Sequence, residues 1–322
     1  MKHIFLISQP RAGSTFLQRI LSNHSNVHTL GEPWFLLPIF KNDFELKVLK
    51  DAKYNSTWTN SAISEFFKST EDFDDLFKEN QITLYKNICK SLANSKGCDF
   101  FLDKTPRYYF IIKEISLTFP KSKVLVLLRN PIDVFNSVLD SFIKKDYSLL
   151  GLYEDDIFES PLLLLKQIKT NKNKNILFIK YEDILNDTKQ EIKKICLHIG
   201  LDFEDSMLNI SNSREWKFGD PKMNIKKEID ETNINVWSKY LTTQKWRFFR
   251  DYVNTLGSVL INEFGYSYEE LDKILVENKP SKFKLIFTVS LNFYFSKFYT
   301  IYLKPFYILK RKIKYRWNLI KK

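Results

Sequence analysis

Cysteine and histidine are both scarce in this chain, and neither is arranged as a binding framework. The 322 residues include three cysteines and four histidines. An odd number of well-separated cysteines does not make a disulfide framework, so we expect free thiols and a reducing compartment. The histidines show no ligand spacing with the cysteines, which argues against a zinc site. The cysteines are Cys89, Cys98 and Cys196, and the histidines are His3, His24, His28 and His198.

The sequence also lacks an apolar leader and a long uninterrupted apolar run. Its first residues pass almost directly into a strand-like segment, without the apolar core of a secretory signal. Residues 285–303 are apolar and aromatic, but Asn292 and Lys297 interrupt them. A membrane-spanning helix needs about 20 mainly apolar residues, so this stretch is marginal. We therefore expect a cytoplasmic protein.

Acidic residues are absent from the end of the chain, which explains most of its positive charge. Residues 280–322 contain eleven Lys or Arg and no Asp or Glu, so the first 279 residues carry about +1 of the total of +12 (12 minus 11). A nearly neutral body does not supply the basic surface of a nucleic-acid-binding protein. We expect no nucleic-acid partner.

The basic tail combines aromatic and charged residues at helical spacing. After Pro305, an apolar stripe is flanked by lysine and arginine side chains. Such a helix suits the interface of an anionic membrane, which predicts peripheral binding at the cytoplasmic face of a membrane. The alternative is a C-terminal helix that packs on the core and exposes its lysines. The stripe consists of Phe306, Leu309, Ile313, Trp317 and Ile320.

Four apolar segments predict buried parallel strands, and helical patterns separate them. This alternation indicates an α/β fold with a doubly wound parallel sheet and helices on both faces. Residues 35–97 predict a helical insertion between the first two strands. We expect one α/β domain over residues 1–279 and a basic, aromatic, helical tail over residues 280–322. The predicted strands are residues 2–8, 100–102, 123–128 and 175–181.

The loop after the first strand, residues 9–15, has the composition of an anion-binding turn. A strand that enters a helix through Gly, Ser and Thr directs backbone N–H groups and the positive end of a helix dipole to one point. Gly13 permits close approach of the backbone, and Ser14 and Thr15 add hydroxyls. Arg11 adds a permanent positive charge. An ordinary strand–turn–helix junction is the plainer interpretation of this loop taken alone.

The same loop is not a Walker A motif. No Lys follows Gly13, and no Ser or Thr follows a Lys to hold magnesium. The loop therefore argues against hydrolysis of ATP or GTP. A magnesium-dependent kinase ranks third among the functions considered for this chain, after an enzyme of a different kind and a non-catalytic nucleotide-binding protein.

A second polar motif follows the predicted strand 123–128. Arg129 leaves the strand end, and Ser137 lies two helical turns beyond Pro131, so both side chains can converge on one phosphate. The segments Gln9-Pro-Arg-Ala-Gly-Ser-Thr-Phe-Leu17 and Leu128-Arg-Asn-Pro-Ile-Asp-Val-Phe-Asn-Ser137 together resemble the sulfotransferases that use 3′-phosphoadenosine 5′-phosphosulfate (PAPS). In that family the first motif holds the 5′-phosphosulfate and the second holds the 3′-phosphate.

Further segments extend the resemblance over about residues 3–200. His24-Ser-Asn-Val-His-Thr-Leu-Gly-Glu32 is similar to a segment of carbohydrate and tyrosylprotein sulfotransferases that carries the catalytic base, which implies that role for Glu32. Phe101-Leu-Asp-Lys-Thr-Pro-Arg107 is similar to a segment whose lysine lies beside the transferred group, which implies Lys104. Tyr181-Glu-Asp-Ile184 resembles a family marker after a core strand.

The resemblance implies a P-loop-like fold and sulfuryl transfer from PAPS to an acceptor hydroxyl by in-line displacement, without a metal. Glu32 takes the proton of the hydroxyl, and Arg11 and Lys104 neutralise charge on the sulfuryl oxygens and the departing oxygen. The expected acceptor is a carbohydrate or a lipid-linked glycan. A tyrosyl-protein acceptor and a non-catalytic, nucleotide-binding, membrane-associated protein are the alternatives. The donor-binding residues implied are Arg11, Ala12, Gly13, Ser14, Thr15, Phe16, Arg129 and Ser137.

Each of these residues also has a plainer interpretation. Glu32 fits a solvated turn, and Lys104 fits a surface lysine at a strand end. Arg129 fits an ion pair with Asp133, four residues further along the helix. Ser137 fits a helix serine that bonds its own backbone.

The chain departs from the cytosolic small-molecule members of the family. Those members have Lys where Arg11 stands, use a histidine base and carry an Arg-Lys-Gly segment near the C-terminus, which we do not find in this sequence. Contacts to the adenine are therefore unassigned, and Trp216 and Trp237 are candidates. Residues 203–245 around them predict loops and short helices that close over a ligand.

Overall fold

Parallel strands form the centre of the fold. The computed structural model describes residues 1–41, 73–210 and 234–296, together with residues 62, 65 and 299. Within these residues the sheet has five strands in the order β2-β3-β1-β4-β5, and every neighbouring pair is parallel. The strands are β1 Lys2–Ser8, β2 Val27–Thr29, β3 Phe100–Lys104, β4 Lys123–Leu128 and β5 Ile176–Lys180.

Helices connect the strands and cover both faces of the sheet, which confirms the predicted α/β class. They are α1 Ser14–Ser22, α2 Leu36–Lys41, α3 Phe73–Asn94, α4 Ile112–Thr118, α5 Pro131–Val138, α6 Ser160–Thr170, α7 Tyr181–Asn186, α8 Thr188–Ile199, α9 Val236–Lys239, α10 Thr243–Glu263, α11 Tyr268–Glu277, α12 Lys282–Ile286 and α13 Leu291–Tyr294. Wider π turns continue the chain at Leu139–Ile143 and Asp155–Glu159.

All four predicted strands are present in the structure. The sequence did not predict the fifth strand, the short strand β2. It has only three residues, and its register pairs Val27 with Phe100 and Thr29 with Leu102. A three-residue segment carries almost no alternation pattern. Its strand conformation comes from the neighbouring strand β3, because strand preference depends mainly on the surrounding sheet.

The two faces of the sheet carry separate apolar layers. Ile4 and Leu6 point to the layer formed with α1, α7 and α8, and Phe5 and Ile7 point to the layer formed with α3 and α4. All four side chains are fully buried. Successive strand residues face opposite sides, so a continuous apolar run is what a strand covered on both faces requires.

The order of the strands places one crevice at the carboxyl edge of the sheet. From the central strand β1 the chain moves first to β2 and β3 on one side, and later to β4 and β5 on the other. The carboxyl ends of β1 and β4 are neighbours at this change of direction, since Ser8 pairs with Leu127. Ligands of open α/β sheets bind at such a point.

The C-terminal helices form a third apolar cluster against α5. Phe135 of α5 packs on Phe249 and Tyr252 of α10, with ring centroids 5.7 and 4.9 Å apart. Leu291 and Tyr299 are buried, so the first part of the predicted tail lies on this cluster. Residues 306–320, which carry the amphipathic stripe, and residues 42–72 of the predicted insertion, apart from 62 and 65, lie outside the described residues. Because β2 precedes residue 35, the insertion lies between the second and third strands and not between the first two, where the sequence predicted it. Of the helices in the described ranges, none is both long and apolar enough to cross a membrane.

Candidate active site

Gly13 connects the loop after β1 to the helix α1 in a left-handed conformation. Its φ is 98° and its ψ is 12°. A Cβ atom at this position would lie 2.5 Å from ring carbons of Tyr181, so the ring closes over the glycine. Only glycine combines this backbone conformation with so close a neighbour. The N-terminus of α1 directs its first N–H groups to the same point, as the predicted anion site requires.

The two predicted donor-binding motifs contact each other directly. The Nε of Arg11 donates a hydrogen bond to the Oγ of Ser137 at 3.1 Å. Nη1 of Arg129 donates to the backbone oxygen of Arg11 at 3.3 Å. The Arg129 guanidinium lies 4.5 Å from the centre of the Tyr181 ring, which also covers Gly13. Two guanidinium groups are therefore held next to the N-terminus of α1.

Lys104 lies at the end of β3 and links the loop to the predicted base. Its side chain is fully buried, and its Nζ is 2.6 Å from Oε1 of Glu32 and 3.3 Å from Oγ1 of Thr15. A buried ammonium is stable only with a charged or polar partner, and Glu32 supplies the charge. The surface-lysine interpretation of Lys104 is therefore wrong.

Trp34 holds the second oxygen of the Glu32 carboxylate. Its Nε1 donates a hydrogen bond to Oε2 of Glu32 at 3.0 Å. The Glu32 side chain keeps 15% of its surface exposed, so its carboxylate is fixed between two donors and is still open to solvent. This is not a freely solvated turn residue.

The ion pair of Arg107 with Asp156 packs against the Trp34 ring. The guanidinium of Arg107 lies 5.1 Å from the ring centre and pairs with the buried carboxylate of Asp156. Tyr109 donates its hydroxyl to the same carboxylate at 2.9 Å. The backbone oxygen of Asp156 accepts from the side-chain amide of Gln9, which joins this support to the anion loop.

A side-chain amide on α1 holds the segment that leads to Glu32. The Nε2 of Gln18 donates to Oγ1 of Thr29 at 2.8 Å and to the backbone oxygen of Leu30 at 2.7 Å. The hydroxyl of Thr29 donates in turn to the backbone oxygen of Leu102 in β3. The position of Glu32 is thus tied to α1 and to the strand that carries Lys104.

The helix that carries Ser137 is fixed at its start by two acidic residues. Asn130 caps α5 by accepting from the N–H of Ile132, and its own N–H donates to Glu182. Asp133 accepts from the backbone N–H groups of Asn235 and Trp237. Burial raises the pKa of the Asp133 carboxyl to about 6, against the opposing effect of the Arg129 charge.

The structure thus gathers the predicted site residues in two groups at one edge of the sheet. Arg11, Gly13, Arg129 and Ser137 form the first, and Thr15, Glu32 and Lys104 form the second. The two groups meet at the start of α1, because Gly13 caps this helix and Thr15 is its second residue. Ala12 and Phe16 are buried beside Gly13.

Several contributing residues carry no role in the sequence prediction. Arg107 and Tyr181 lie in segments that resemble the family, and each follows the end of a strand, which is the one local pattern that indicates a site residue there. Trp34 and Gln9 lie next to recognised residues, and Asp156 comes from a distant turn that no motif marks. Of the two adenine candidates, Trp216 lies outside the described residues. Trp237 is fully buried with its ring against Phe249, so it is not placed to stack on an adenine.

Comparison with known proteins gives one consistent family. A model described as "Sulfotransferase family" matches residues 3–205. The nodulation protein NoeE of Sinorhizobium fredii is 22% identical over 290 residues, which cover 81% of this chain and 65% of the relative. Sulfotransferase 2A1 of Macaca fascicularis is 31% identical over 134 residues, which cover 38% of this chain and 45% of the relative. The chain thus aligns with less than two thirds of the length of these relatives.

Solved structures share the fold. The sulfotransferase domain from the Synechococcus PCC 7002 olefin synthase superposes with a TM-score of 0.54 at 21% identity, over 87% of this chain and 96% of the domain. The sulfotransferase domain from the curacin biosynthetic pathway gives a TM-score of 0.52 at 21% identity, over 75% of this chain and 92% of the domain.

Proposed function

This chain belongs to the sulfotransferase family, and from that premise we propose that it transfers a sulfuryl group from PAPS to an acceptor hydroxyl, with Glu32 as the general base. The observation that carries the proposal is the contact of one buried ammonium, that of Lys104, with both Glu32 and Thr15 of the anion loop. Base and anion site are thereby adjacent, as a displacement at sulfur requires.

The first group of residues binds the donor. Arg11 and the N-terminus of α1 hold the phosphosulfate, and Arg129 with Ser137 holds the 3′-phosphate. The contacts of Arg11 with Ser137 and of Arg129 with the Arg11 backbone support this assignment, because they bring both cations to one loop. Planar guanidinium groups bind phosphate through two parallel hydrogen bonds. Gly13 leaves the loop backbone open to the anion.

The second group performs the chemistry. PAPS supplies the sulfuryl group. Glu32 takes the proton from the acceptor hydroxyl as a new bond forms from that oxygen to sulfur, and the bond from sulfur to the bridging phosphate oxygen breaks. The bridging oxygen leaves with adenosine 3′,5′-bisphosphate. Lys104 and Arg11 stabilise the charge that develops on the sulfuryl and leaving oxygens.

A carbohydrate or a lipid-linked glycan is the acceptor in this proposal. The support is the similarity of the segment ending at Glu32 to that of carbohydrate sulfotransferases, together with the partial exposure of its carboxylate, which admits a hydroxyl from solvent. Transfer from labelled PAPS to polysaccharides, compared with transfer to tyrosine-containing peptides, separates this acceptor from the tyrosyl-protein alternative.

Calorimetric titration tests the donor site. We expect adenosine 3′,5′-bisphosphate to bind at least tenfold more tightly than AMP, because only the bisphosphate presents a 3′-phosphate to Arg129 and Ser137. Equal binding of the two ligands would refute the assignment of the 3′-phosphate site. Preferential binding of ATP with magnesium would replace the sulfotransferase proposal with a kinase-like one.

Glu32→Gln tests the base. We expect the transfer rate to fall by about 10² or more, the usual contribution of a general base, while the bisphosphate still binds. The control is Glu204→Gln, because Glu204 bonds Ser25 near the amino end of β2, at the opposite edge of the sheet. Full activity of Glu32→Gln would refute the role of Glu32. Donor binding without any transfer in the wild-type chain would favour the non-catalytic alternative.

A further inference from the structure

The short helix α12 carries its large apolar side chains outwards. Phe283, Ile286 and Phe287, the last at the end of the helix, are 71%, 75% and 74% exposed. The two phenylalanine rings contact each other with centroids 5.3 Å apart, so the exposed surface is continuous. Large contiguous apolar surfaces on a protein mark sites of interaction. We call these three side chains the α12 patch.

The α12 patch is held firmly on the body of the protein. Leu285 of the same helix packs against the apolar cluster of the C-terminal helices. Beyond the patch, the side chain of Gln244 in α10 exchanges two hydrogen bonds with the backbone of Val289, at 2.7 and 3.0 Å. The carboxylate of Asp251 accepts from the N–H of Leu291 at 2.8 Å. The outward orientation of the patch is therefore part of the folded structure.

The charged residues of the segment that carries the α12 patch, from Lys279 onwards, are positive, and the nearest acidic residues are Glu277 before it and Asp251, which bonds Leu291. Lys279, Lys282 and Lys284 are exposed on either side of Phe283. No Asp or Glu occurs anywhere from residue 280 to the end of the chain. Apolar and aromatic side chains surrounded by lysines match the boundary of an anionic bilayer, where rings enter the headgroup region and ammonium groups contact lipid phosphates.

We propose that the α12 patch docks the protein on the surface of an anionic membrane. This goes beyond the proposed reaction, since none of the patch residues belongs to the candidate active site. Leu84 and Ile88 share a face of α3 but are less exposed, at 50% and 44%. Leu117 and Leu197 are 71% and 81% exposed but lie on different helices, α4 and α8.

Vesicle flotation with the full chain tests the proposal. The vesicles contain either phosphatidylcholine alone or equal parts of phosphatidylcholine and phosphatidylglycerol. We expect the wild type to bind to the anionic vesicles. A triple variant is expected to have a partition coefficient at least tenfold lower, and it combines Phe283→Ser, Ile286→Ser and Phe287→Ser. The matched control combines Leu117→Ser, Leu162→Ser and Leu197→Ser, which removes three exposed apolar side chains elsewhere and is expected to bind as the wild type does.

A second variant keeps the test decisive if the triple variant does not fold. Lys282→Gln with Lys284→Gln leaves the apolar side chains in place and is expected to weaken binding to the anionic vesicles severalfold. Unchanged binding of the triple variant would overturn the proposal, as would a wild type that does not bind anionic vesicles. The proposal would also be overturned if the wild type were dimeric without lipid and the triple variant were monomeric. That result would assign the α12 patch to contact with a second copy of the chain. Bisphosphate binding is expected to be equal in all of these proteins, which separates this proposal from the reaction.

Discussion

Trp34 and Glu32 are joined by a hydrogen bond of 3.0 Å from the indole Nε1 to the carboxylate Oε2. Trp34 makes this contact from a left-handed backbone conformation, with φ at 57°, which is uncommon for a bulky residue. Arg107, paired with Asp156, lies against its ring and supports that conformation. Lys104 holds the other carboxylate oxygen. We therefore regard Trp34 as a positioning residue for the proposed base.

Trp34→Phe removes the N–H donor and keeps an aromatic ring against Arg107. We expect kcat to fall about tenfold, because the carboxylate of Glu32 loses its orientation relative to the acceptor. The KM for PAPS is expected to change little, since Trp34 bonds Glu32 and packs on Arg107, neither of which is a proposed donor-binding residue. Steady-state kinetics with PAPS varied at saturating acceptor measure both parameters.

A matched variant separates positioning from simple stabilisation. Trp246 donates its Nε1 to the backbone oxygen of Leu275 at 2.7 Å, in the cluster of C-terminal helices. Trp246→Phe therefore loses an equivalent bond far from Glu32, and we expect lower stability with kcat nearly unchanged. If both variants lost kcat equally, or if Trp34→Phe raised only the KM for PAPS, the positioning role would be refuted.

Gly13→Ala tests the closure of the Tyr181 ring over the anion loop. The new Cβ would lie 2.5 Å from the ring, so Tyr181 must move, and with it the support of Arg129. Gly200→Ala is the control, because Gly200 has a similar φ of 84° but no neighbour within 4 Å. Backbone strain is expected to cost each variant about 1–2 kcal/mol of unfolding free energy. Gly13→Ala is expected to lose more, because the Tyr181 ring must also move. Only Gly13→Ala is expected to lose bisphosphate affinity, by at least tenfold.

Denaturant unfolding and calorimetric titration of the two glycine variants give these quantities. Equal bisphosphate affinity in Gly13→Ala and the wild type would mean that the loop does not bind the donor.

Arg129→Lys keeps the positive charge of the 3′-phosphate site and removes its planar shape. We expect at least a tenfold loss of affinity for adenosine 3′,5′-bisphosphate and little change for AMP, because lysine makes neither the paired hydrogen bonds to phosphate nor the stack on Tyr181. Arg250→Lys is the control, since Arg250 pairs with Asp272 between α10 and α11. A parallel loss for AMP would assign Arg129 to the 5′ side of the nucleotide.

The sheet and the donor motifs could be predicted because each is encoded in contiguous residues. The apolar run of β1, the glycine turn at Gly13 and the helical spacing from Pro131 to Ser137 are all local patterns, and the structure contains the corresponding strand, turn and helix. Ligand-binding residues of parallel sheets lie at the carboxyl ends of the strands, so these elements were expected to meet at the carboxyl edge of the sheet. Local pattern was insufficient for β2, which is ordered by its neighbour β3.

The contacts that complete the site join distant segments and could not be predicted. Asp156 reaches Arg107 across 49 positions from a π turn that no motif marks. The bond from Arg11 to Ser137 spans 126 positions and depends on how α5 lies against the loop. The role of Trp34 depends on its left-handed backbone, which the sequence does not indicate for a tryptophan.

Asp103, next to Lys104 in β3, predicts a dependence of stability on pH. Its carboxylate is buried and accepts from the hydroxyls of Tyr85 at 2.6 Å and Thr105 at 2.8 Å. Burial nevertheless raises its pKa from 3.8 to about 6, because the loss of hydration outweighs these bonds. Between these two values the folded protein holds a proton that the unfolded chain releases.

Because the folded protein holds the Asp103 proton more tightly than the unfolded chain does, stability falls as the pH rises. The contribution of Asp103 to the free energy of unfolding is highest at low pH, falls as the pH rises from about 4 to about 6, and is constant above pH 6. The total change in the free energy of unfolding is about 3 kcal/mol. Asp103→Asn keeps an oxygen for the two hydroxyls and cannot ionise. We therefore expect the difference in unfolding free energy between variant and wild type to move in favour of the variant across this range, as measured by urea unfolding at a series of pH values.

Asp205→Asn serves as the control for this titration. Asp205 is exposed and its pKa is lowered by its bond to Lys189, so any effect of its removal falls below pH 4 and has the opposite sign. A constant difference between Asp103→Asn and the wild type from pH 4 to pH 7 would mean that Asp103 is ionised throughout. The bonds from Tyr85 and Thr105, together with the charge of Lys104, would then outweigh its burial.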